Sequence, residues 1–131
     1  MYIRQTNSTS TLLREQYSDD QPHLYTIRTD YQSAGRGQAG NGWESEDGKN
    51  LLFSTLLRCE VLATEQFRLT MAVSAAMIEM LASHLPADGS LTIKWPNDIY
   101  YGDKKLAGIL VENTLVGSRV AYSIVGIGLD V

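Results

Sequence analysis

The sequence predicts an α+β domain, and three observations carry that expectation. One long segment, Thr64 to about His84, repeats its apolar residues at helical spacing. Several shorter segments are apolar or alternating over strand lengths, and the last two meet at Gly117-Ser118. Helices and strands do not take turns along the chain, as they would in a doubly wound parallel fold.

Each element follows in order. The polar run Thr6-Asn7-Ser8-Thr9-Ser10-Thr11 has the composition of a helix start, since hydroxyls cap free backbone N–H groups. Leu12 and Leu13 then form the buried side of a short helix that frays by Asp19-Asp20. Leu24 to Thr29 alternates and is β-prone. Gln32 to Asn50 is rich in glycine and polar residues and reads as a long loop, and a loop of that length inside a compact domain is usually functional. Leu51 to Leu57 is a buried strand. Thr64 caps the long helix, whose apolar face is Phe67, Met71, Ala75, Ile78, Leu81 and Leu85, and Pro86 and Gly89 end it. Leu91–Trp95 and Ile99–Tyr101 are short strands. Leu106–Leu115 and Val120–Leu129 form a hairpin, because Gly followed by Ser suits a two-residue turn.

A length of 131 residues fits one domain, here 1–131, with no linker, repeat or low-complexity tract. A hydrophobic fraction of 44% supports a core and argues against disorder. The net charge of −4 disfavours sequence-independent DNA binding, which needs clustered Lys and Arg. One cysteine, Cys59, excludes an internal disulfide, and with only His23 and His84 it leaves no zinc ligand set. Cys59 sits in an apolar run and reads as a buried structural thiol. No signal peptide or span of ~20 apolar residues is visible, so the expectation is a cytoplasmic protein without membrane attachment.

Four stretches carry chemistry. Gln32-Ser33-Ala34-Gly35-Arg36-Gly37-Gln38-Ala39-Gly40-Asn41-Gly42-Trp43 surrounds one arginine with glycines. Glycine lets backbone N–H groups approach an anion, and arginine offers a planar fork for carboxylate or phosphate. Taken alone the stretch is equally a solvent loop. Lys94-Trp95-Pro96-Asn97-Asp98 places Asn97 and Asp98 after a strand, where they face a ligand or metal ion, or simply form a polar turn. Lys104-Lys105-Leu106-Ala107-Gly108-Ile109-Leu110-Val111-Glu112 opens an apolar strand with two lysines, and Gly108 marks close approach of a ligand or backbone. Gly126-Ile127-Gly128-Leu129-Asp130 is a glycine-relieved strand ending in a carboxylate.

Together, in this order, these stretches resemble the biotin protein ligases from about Ser8 to Val131. The match includes the Gly-Arg-Gly loop with its trailing Gly and Trp, Lys-Trp-Pro-Asn-Asp, Lys-Leu-Ala-Gly-Ile-Leu-Val-Glu and the Gly-Ile-Gly strand. The resemblance implies a mixed sheet flanked by helices, related to the class II aminoacyl-tRNA synthetases and incomplete at the C-terminus. It implies ligation of biotin, through biotinyl-5'-AMP made with ATP and Mg²⁺, to a lysine of a biotin carboxyl carrier domain such as that of acetyl-CoA carboxylase. Carboxylate and phosphate repel, so such a site must hold fixed cations.

By position, Ser8, Thr9 and Ser10 match the family's Ser-Thr-Asn at the biotin head group, with Ser10 replacing the asparagine and altering that contact. Gln32, Gly35, Arg36, Gly37, Gln38 and Gly108 fall in the biotin set, and Arg36 belongs to the loop that closes over biotin and adenylate. Gln38 and Asn41 stand where many members have basic residues, which should weaken the loop's hold on phosphate. Trp43 looks like the aromatic that supports the adenine end. Lys105 matches the lysine between biotin's carboxylate and the α-phosphate, and with Arg36 makes the expected catalytic pair. Lys94, Asn97, Asp98 and Asp130 form the nucleotide set. Asp98 and Asp130 are also the metal candidates, Asp130 standing in for a family asparagine.

Nothing before Ser8 is long enough for a helix-turn-helix, which disfavours a DNA-binding branch. The chain stops at Val131, where the family's catalytic domain continues with more helix and strand and then a small β-barrel domain. The resemblance therefore implies a truncated ligase, with self-association or homo-oligomer formation through an uncovered edge. Two alternatives remain: a lipoate or octanoyl transferase, whose Arg-Arg and Gly-Gly-Gly signature does not occur here, and a non-catalytic biotin-binding fragment.

Overall fold

The computed structural model describes residues 1–37, 42–43, 46–86, 90–95 and 97–130. Its spine is a mixed sheet in the order β1-β2-β5-β10-β9-β8-β7. These strands are β1 (Tyr2–Thr6), β2 (Thr26–Gln32), β5 (Asn50–Leu57), β7 (Leu91–Lys94), β8 (Asp98–Tyr101), β9 (Lys104–Val116) and β10 (Arg119–Asp130). β1 and β2 pair in parallel, and every other neighbour pair along this order is antiparallel. The short β6 (Val61–Leu62) pairs with the start of β10. The expected β9–β10 hairpin is present, and Gly117 takes the left-handed conformation its turn requires, with φ +61.

Two helices cover opposite faces. Ile124 and Val125 are neighbours in β10 and must point to opposite sides. Ile124 joins Leu13, Ile27 and Leu56 beneath α1 (Thr9–Glu15). Val125 joins Ile99, Ala107, Ile109, Met77 and Leu81 beneath α2 (Phe67–Ala82). Ser8 caps α1 as its composition predicts, its hydroxyl accepting from the Thr11 N–H at 3.4 Å.

The structure corrects the element reading in four places. β1 was not anticipated, because Tyr-Ile-Arg-Gln-Thr is mostly polar and at the sheet edge only Ile3 and Thr6 are half-buried. The second strand starts at Thr26, since Leu24 has φ +70 and leaves the strand region. Thr64 does not cap α2; it lies in a 3-10 turn, Ala63–Glu65, and Gln66 precedes the helix with no side-chain cap. Finally, α2 buries Leu69, Ser74, Met77 and Leu81, while Phe67 and Met71 are exposed. Ile78, Leu81 and Leu85 of the expected face do pack against the core, but its first part, 67-71-75, is replaced by 69-73-77, a shift of two residues or roughly 200° around the helix. The helix is apolar nearly all round, so spacing alone did not select the face that meets the sheet.

The long loop contains a small hairpin, β3 (Gly35–Arg36) with β4 (Gly42–Trp43), which lies on the α1 face.

Candidate functional site

A cavity of about 250 Å³ opens between this hairpin, α1 and the α1 face of the sheet. Its floor is glycine. Gly108 and Gly128 pair across β9 and β10, and Gly126 lies opposite Ser54 of β5. The indole of Trp43 rests on the first two: a Cβ at Gly108 or Gly128 would meet the ring at 2.7 and 2.5 Å. Glycine is required there by close approach, not by backbone conformation.

At the β5 side the wall is hydroxyl and amide. Thr9 donates to Gln32 Oε1 through its N–H at 2.8 Å and its hydroxyl at 3.0 Å. Ser54 Oγ lies 2.7 Å from Thr9 Oγ1 and 2.7 Å from Ser10 Oγ. Each hydroxyl has one proton. Since Thr9 gives its proton to Gln32, Ser54 must donate to Thr9 and Ser10 to Ser54. The relay runs Ser10, Ser54, Thr9, Gln32, leaving Ser10 Oγ as an acceptor and the Gln32 amide nitrogen as a donor. All three hydroxyl residues are buried.

At the β8 side the wall is charged. Lys105 Nζ lies 3.3 Å from Asp98 Oδ1 and 4.9 Å from the centroid of the Trp43 ring. A register shift puts Lys105 on this wall. Ala107 pairs with Ile99, but Lys105, not Leu106, pairs with Tyr100. Leu106 and Ala107 both join the α2-side core, and the bulge turns Lys105 onto the cavity face. Lys104 pairs with Tyr101 and is exposed. From β5 to β8 is three strand spacings, roughly 14 Å.

Of the expected site residues, Ser8, Thr9, Ser10, Gln32, Arg36, Gly37, Trp43, Asn97, Asp98, Lys105 and Gly108 line this one cavity. Gln38 and Asn41 lie outside the described residues. Gly35 stands just behind the wall, packed against the Trp43 carbonyl. Asn97 is buried, and its side chain donates to the Ile109 carbonyl while its own carbonyl accepts from the Ile109 N–H at 3.1 Å. Lys94 ends β7 away from the cavity, its ammonium 5.4 Å above the Tyr100 ring. Asp130 ends β10 outside the lining. Burial pushes its carboxyl above the usual range, against the opposing charge of Lys105. The two metal candidates are therefore unlike: Asp98 is on the wall and already paired with Lys105, and Asp130 is set back. Among the described residues no group of three or more His, Cys, Asp or Glu gathers to hold an ion.

Arg36 and Lys105 are not brought together. The Arg36 guanidinium donates to both oxygens of Glu112 at 2.9 and 2.8 Å, and its Nε to Thr11 Oγ1 at 3.1 Å. Arg14 pairs with the same carboxylate at 2.7 Å. Burial pushes the Glu112 carboxyl up, but the hydrogen bonds and charges of Arg36 and Arg14 outweigh it and hold it below the ordinary range. Sequence reasoning missed Ser54, Arg14, Thr11 and Glu112 as site residues. Ser54 had a signal: a serine at an inward position of an otherwise apolar strand, fully buried in the structure.

A sequence model of the Biotin/lipoate A/B protein ligase family matches residues 2–130. The chain belongs to that family. The Bifunctional ligase/repressor BirA of Escherichia coli is 41% identical over 101 residues, covering 77% of this chain and 31% of the relative. The Biotin--[acetyl-CoA-carboxylase] ligase of Paracoccus denitrificans is 34% identical over 99 residues, covering 76% and 41%. In three dimensions the chain is similar to a biotin protein ligase from Aquifex aeolicus in complex with biotin and ATP, with TM-score 0.68 and 32% identity, over 100% of this chain and 51% of that one. The chain thus spans a third to a half of the length of these family members, and its mixed sheet with two helices is the fold of their ligase domain. No helix of the described residues is long and apolar enough to cross a membrane.

Proposed function

We propose that this chain binds biotin and ATP and serves the ligation of biotin to a lysine of a carrier domain by way of biotinyl-AMP. The observation that carries the reading is the grading of one cavity from a hydroxyl–amide relay, over a glycine floor, to a fixed ammonium. Biotin has the same order of groups: a polar, uncharged cyclic urea, a saturated chain and a carboxylate. A urea oxygen accepts from the Gln32 amide, and a urea N–H donates to Ser10 Oγ. The chain runs along the Trp43 indole that covers Gly128 and Gly108, and the carboxylate reaches Lys105, whose ammonium lies 4.9 Å from that ring.

Lys105 then performs the electrostatic work of the first step. Biotin's carboxylate attacks the α-phosphorus of ATP, and pyrophosphate leaves with the electron pair of the broken P–O bond. An ammonium held between the two anions lowers their repulsion and stabilises the charge that grows on the phosphate. Asp98 keeps that ammonium aimed at the cavity. A magnesium ion brought with the ATP phosphates would find Asp98 as the carboxylate on the cavity wall, and would supply charge neutralisation to the phosphates, since such ions take one or two carboxylates plus phosphate oxygens. In the second step the carrier lysine attacks the mixed anhydride and AMP leaves. The Paracoccus relative's name points to acetyl-CoA carboxylase as a carrier-bearing substrate. Dependence on ATP places the reaction in the cytoplasm.

The same relay argues against lipoate. A dithiolane ring makes no strong hydrogen bonds, so it would leave the Ser10, Ser54, Thr9 and Gln32 groups unpaired in a buried site. Titration calorimetry should show biotin binding at least about 100-fold more tightly than lipoate. Equal affinities would refute the biotin reading.

A further inference from the structure

The family-derived role for Arg36, closure over a bound anion, does not fit where its guanidinium is. Arg36 spends three of its five N–H groups on protein partners, Thr11 and Glu112. The Lys105 ammonium meets Asp98 at the level of Gly108, and Glu112 stands four residues further along β9, roughly 13 Å away. One guanidinium at Glu112 cannot also touch an anion at Lys105. What it can reach is its own hairpin. Arg36 is in β3, which pairs with β4 as Gly35↔Trp43 and Arg36↔Gly42. Trp43 in turn rests on Gly108 and Gly128. Arg14 of α1 pairs with the same carboxylate, so Glu112 ties α1, β9 and the hairpin together.

We propose that Arg14, Glu112 and Arg36 form a tether, with Glu112 the positioning residue that seats the β3–β4 hairpin and thereby sets Trp43 over the glycine floor. Arg36 then acts on ligand affinity through the hairpin and not by contact with an anion. The proposal rests on the biotin reading only for the ligand it names.

The test is a double-mutant cycle on biotin affinity, read in parallel with the neutral amide of biotin. Arg36→Ala and Glu112→Ala should each weaken both ligands by the same factor, about tenfold, and the double variant should be no weaker than either single one. Arg68→Ala, which removes an ion pair to Glu65 outside the tether and the cavity, should bind like the wild type. A second readout needs no ligand. In a Trp95→Phe background Trp43 is the sole tryptophan, and Glu112→Ala should shift its fluorescence to the red at a temperature well below its melting transition. Loss of biotin far exceeding loss of the amide in Arg36→Ala would show direct anion contact and overturn the tether. So would unchanged Trp43 emission in Glu112→Ala, or additive losses in the double variant. If the wild type binds neither ligand while the emission shift is seen, the tether stands and the biotin reading falls.

Discussion

One tryptophan ring holds Gly108 and Gly128 to hydrogen side chains. A methyl at position 128 would come within 2.5 Å of the Trp43 ring atom Cε2, against 3.6 Å from the Gly35 carbonyl for one at Gly42. The first is below any real carbon contact and the second is ordinary. Gly128→Ala should therefore lift the indole from the floor, red-shift Trp43 emission in a Trp95→Phe background, and weaken biotin at least about tenfold, as overpacking costs ~1–3 kcal/mol. Gly42→Ala should leave both unchanged. A second prediction at this scale concerns Glu112. Its carboxyl lies below the ordinary range in the folded chain, so its ionised form favours folding. The sign follows: that stability is present above pH ~4.3, where the unfolded side chain is ionised, and is lost as pH falls through the folded value. Melting temperature should drop between pH 5 and 3 more steeply in the wild type than in Glu112→Gln. Parallel curves would show that the ion pairs with Arg36 and Arg14 add nothing. Residues such as Gln32, Lys105 and Asp98 were legible because they sit in contiguous motifs. Ser54 and Arg14 were not, because their roles come from partners 45 and 98 residues away, Thr9 and Glu112.

At the scale of elements, strict alternation back from Ala107 would send Lys105 to the α2 face. The shift between Ile99 and Tyr100 reverses that. The motif picked out Lys105 in the sequence, and the bulge is what turns it onto the cavity wall. Lys105→Ala should lower biotinyl-adenylate formation about 10²–10³-fold, and Lys104→Ala, which faces away, should stay within about twofold. Pyrophosphate exchange on the two variants decides between them; a crippled Lys104→Ala would mean the bulge does not aim the strand as described. The elements themselves were legible where a strong local pattern existed, as in β5, β9 and β10. β1 escaped because an edge strand buries too little to need an apolar pattern. The first half of the α2 face escaped because the helix is apolar on its exposed side too, at Phe67 and Met71.

At the scale of the molecule, the two faces of the sheet differ in purpose. The α1 face holds the cavity, and the α2 face holds the larger core and an uncovered apolar surface. Phe67 and Met71 are 46% and 50% exposed, and Ile93 and Trp95 of the neighbouring strand end are 47% and 76% exposed. The rings of Phe67 and Trp95 lie 6.2 Å apart, so these residues form one patch rather than scattered side chains. Contiguous apolar patches on soluble proteins mark contact surfaces, because each exposed Å² forgoes ~25 cal/mol. The chain should therefore self-associate reversibly, with a sedimentation coefficient that rises between about 5 and 200 μM, the range of a weak contact. Phe67→Glu with Met71→Lys should abolish that rise, since two charges on the patch must be desolvated for association to occur. Biotin affinity should not change, because the patch and the cavity are on opposite faces and share no residue. A wild type that sediments as one species across the range would show that the patch does not drive association. A double variant that loses biotin binding would show instead that the two faces are coupled through the sheet, and that the separation argued from Ile124 and Val125 does not extend to energetics.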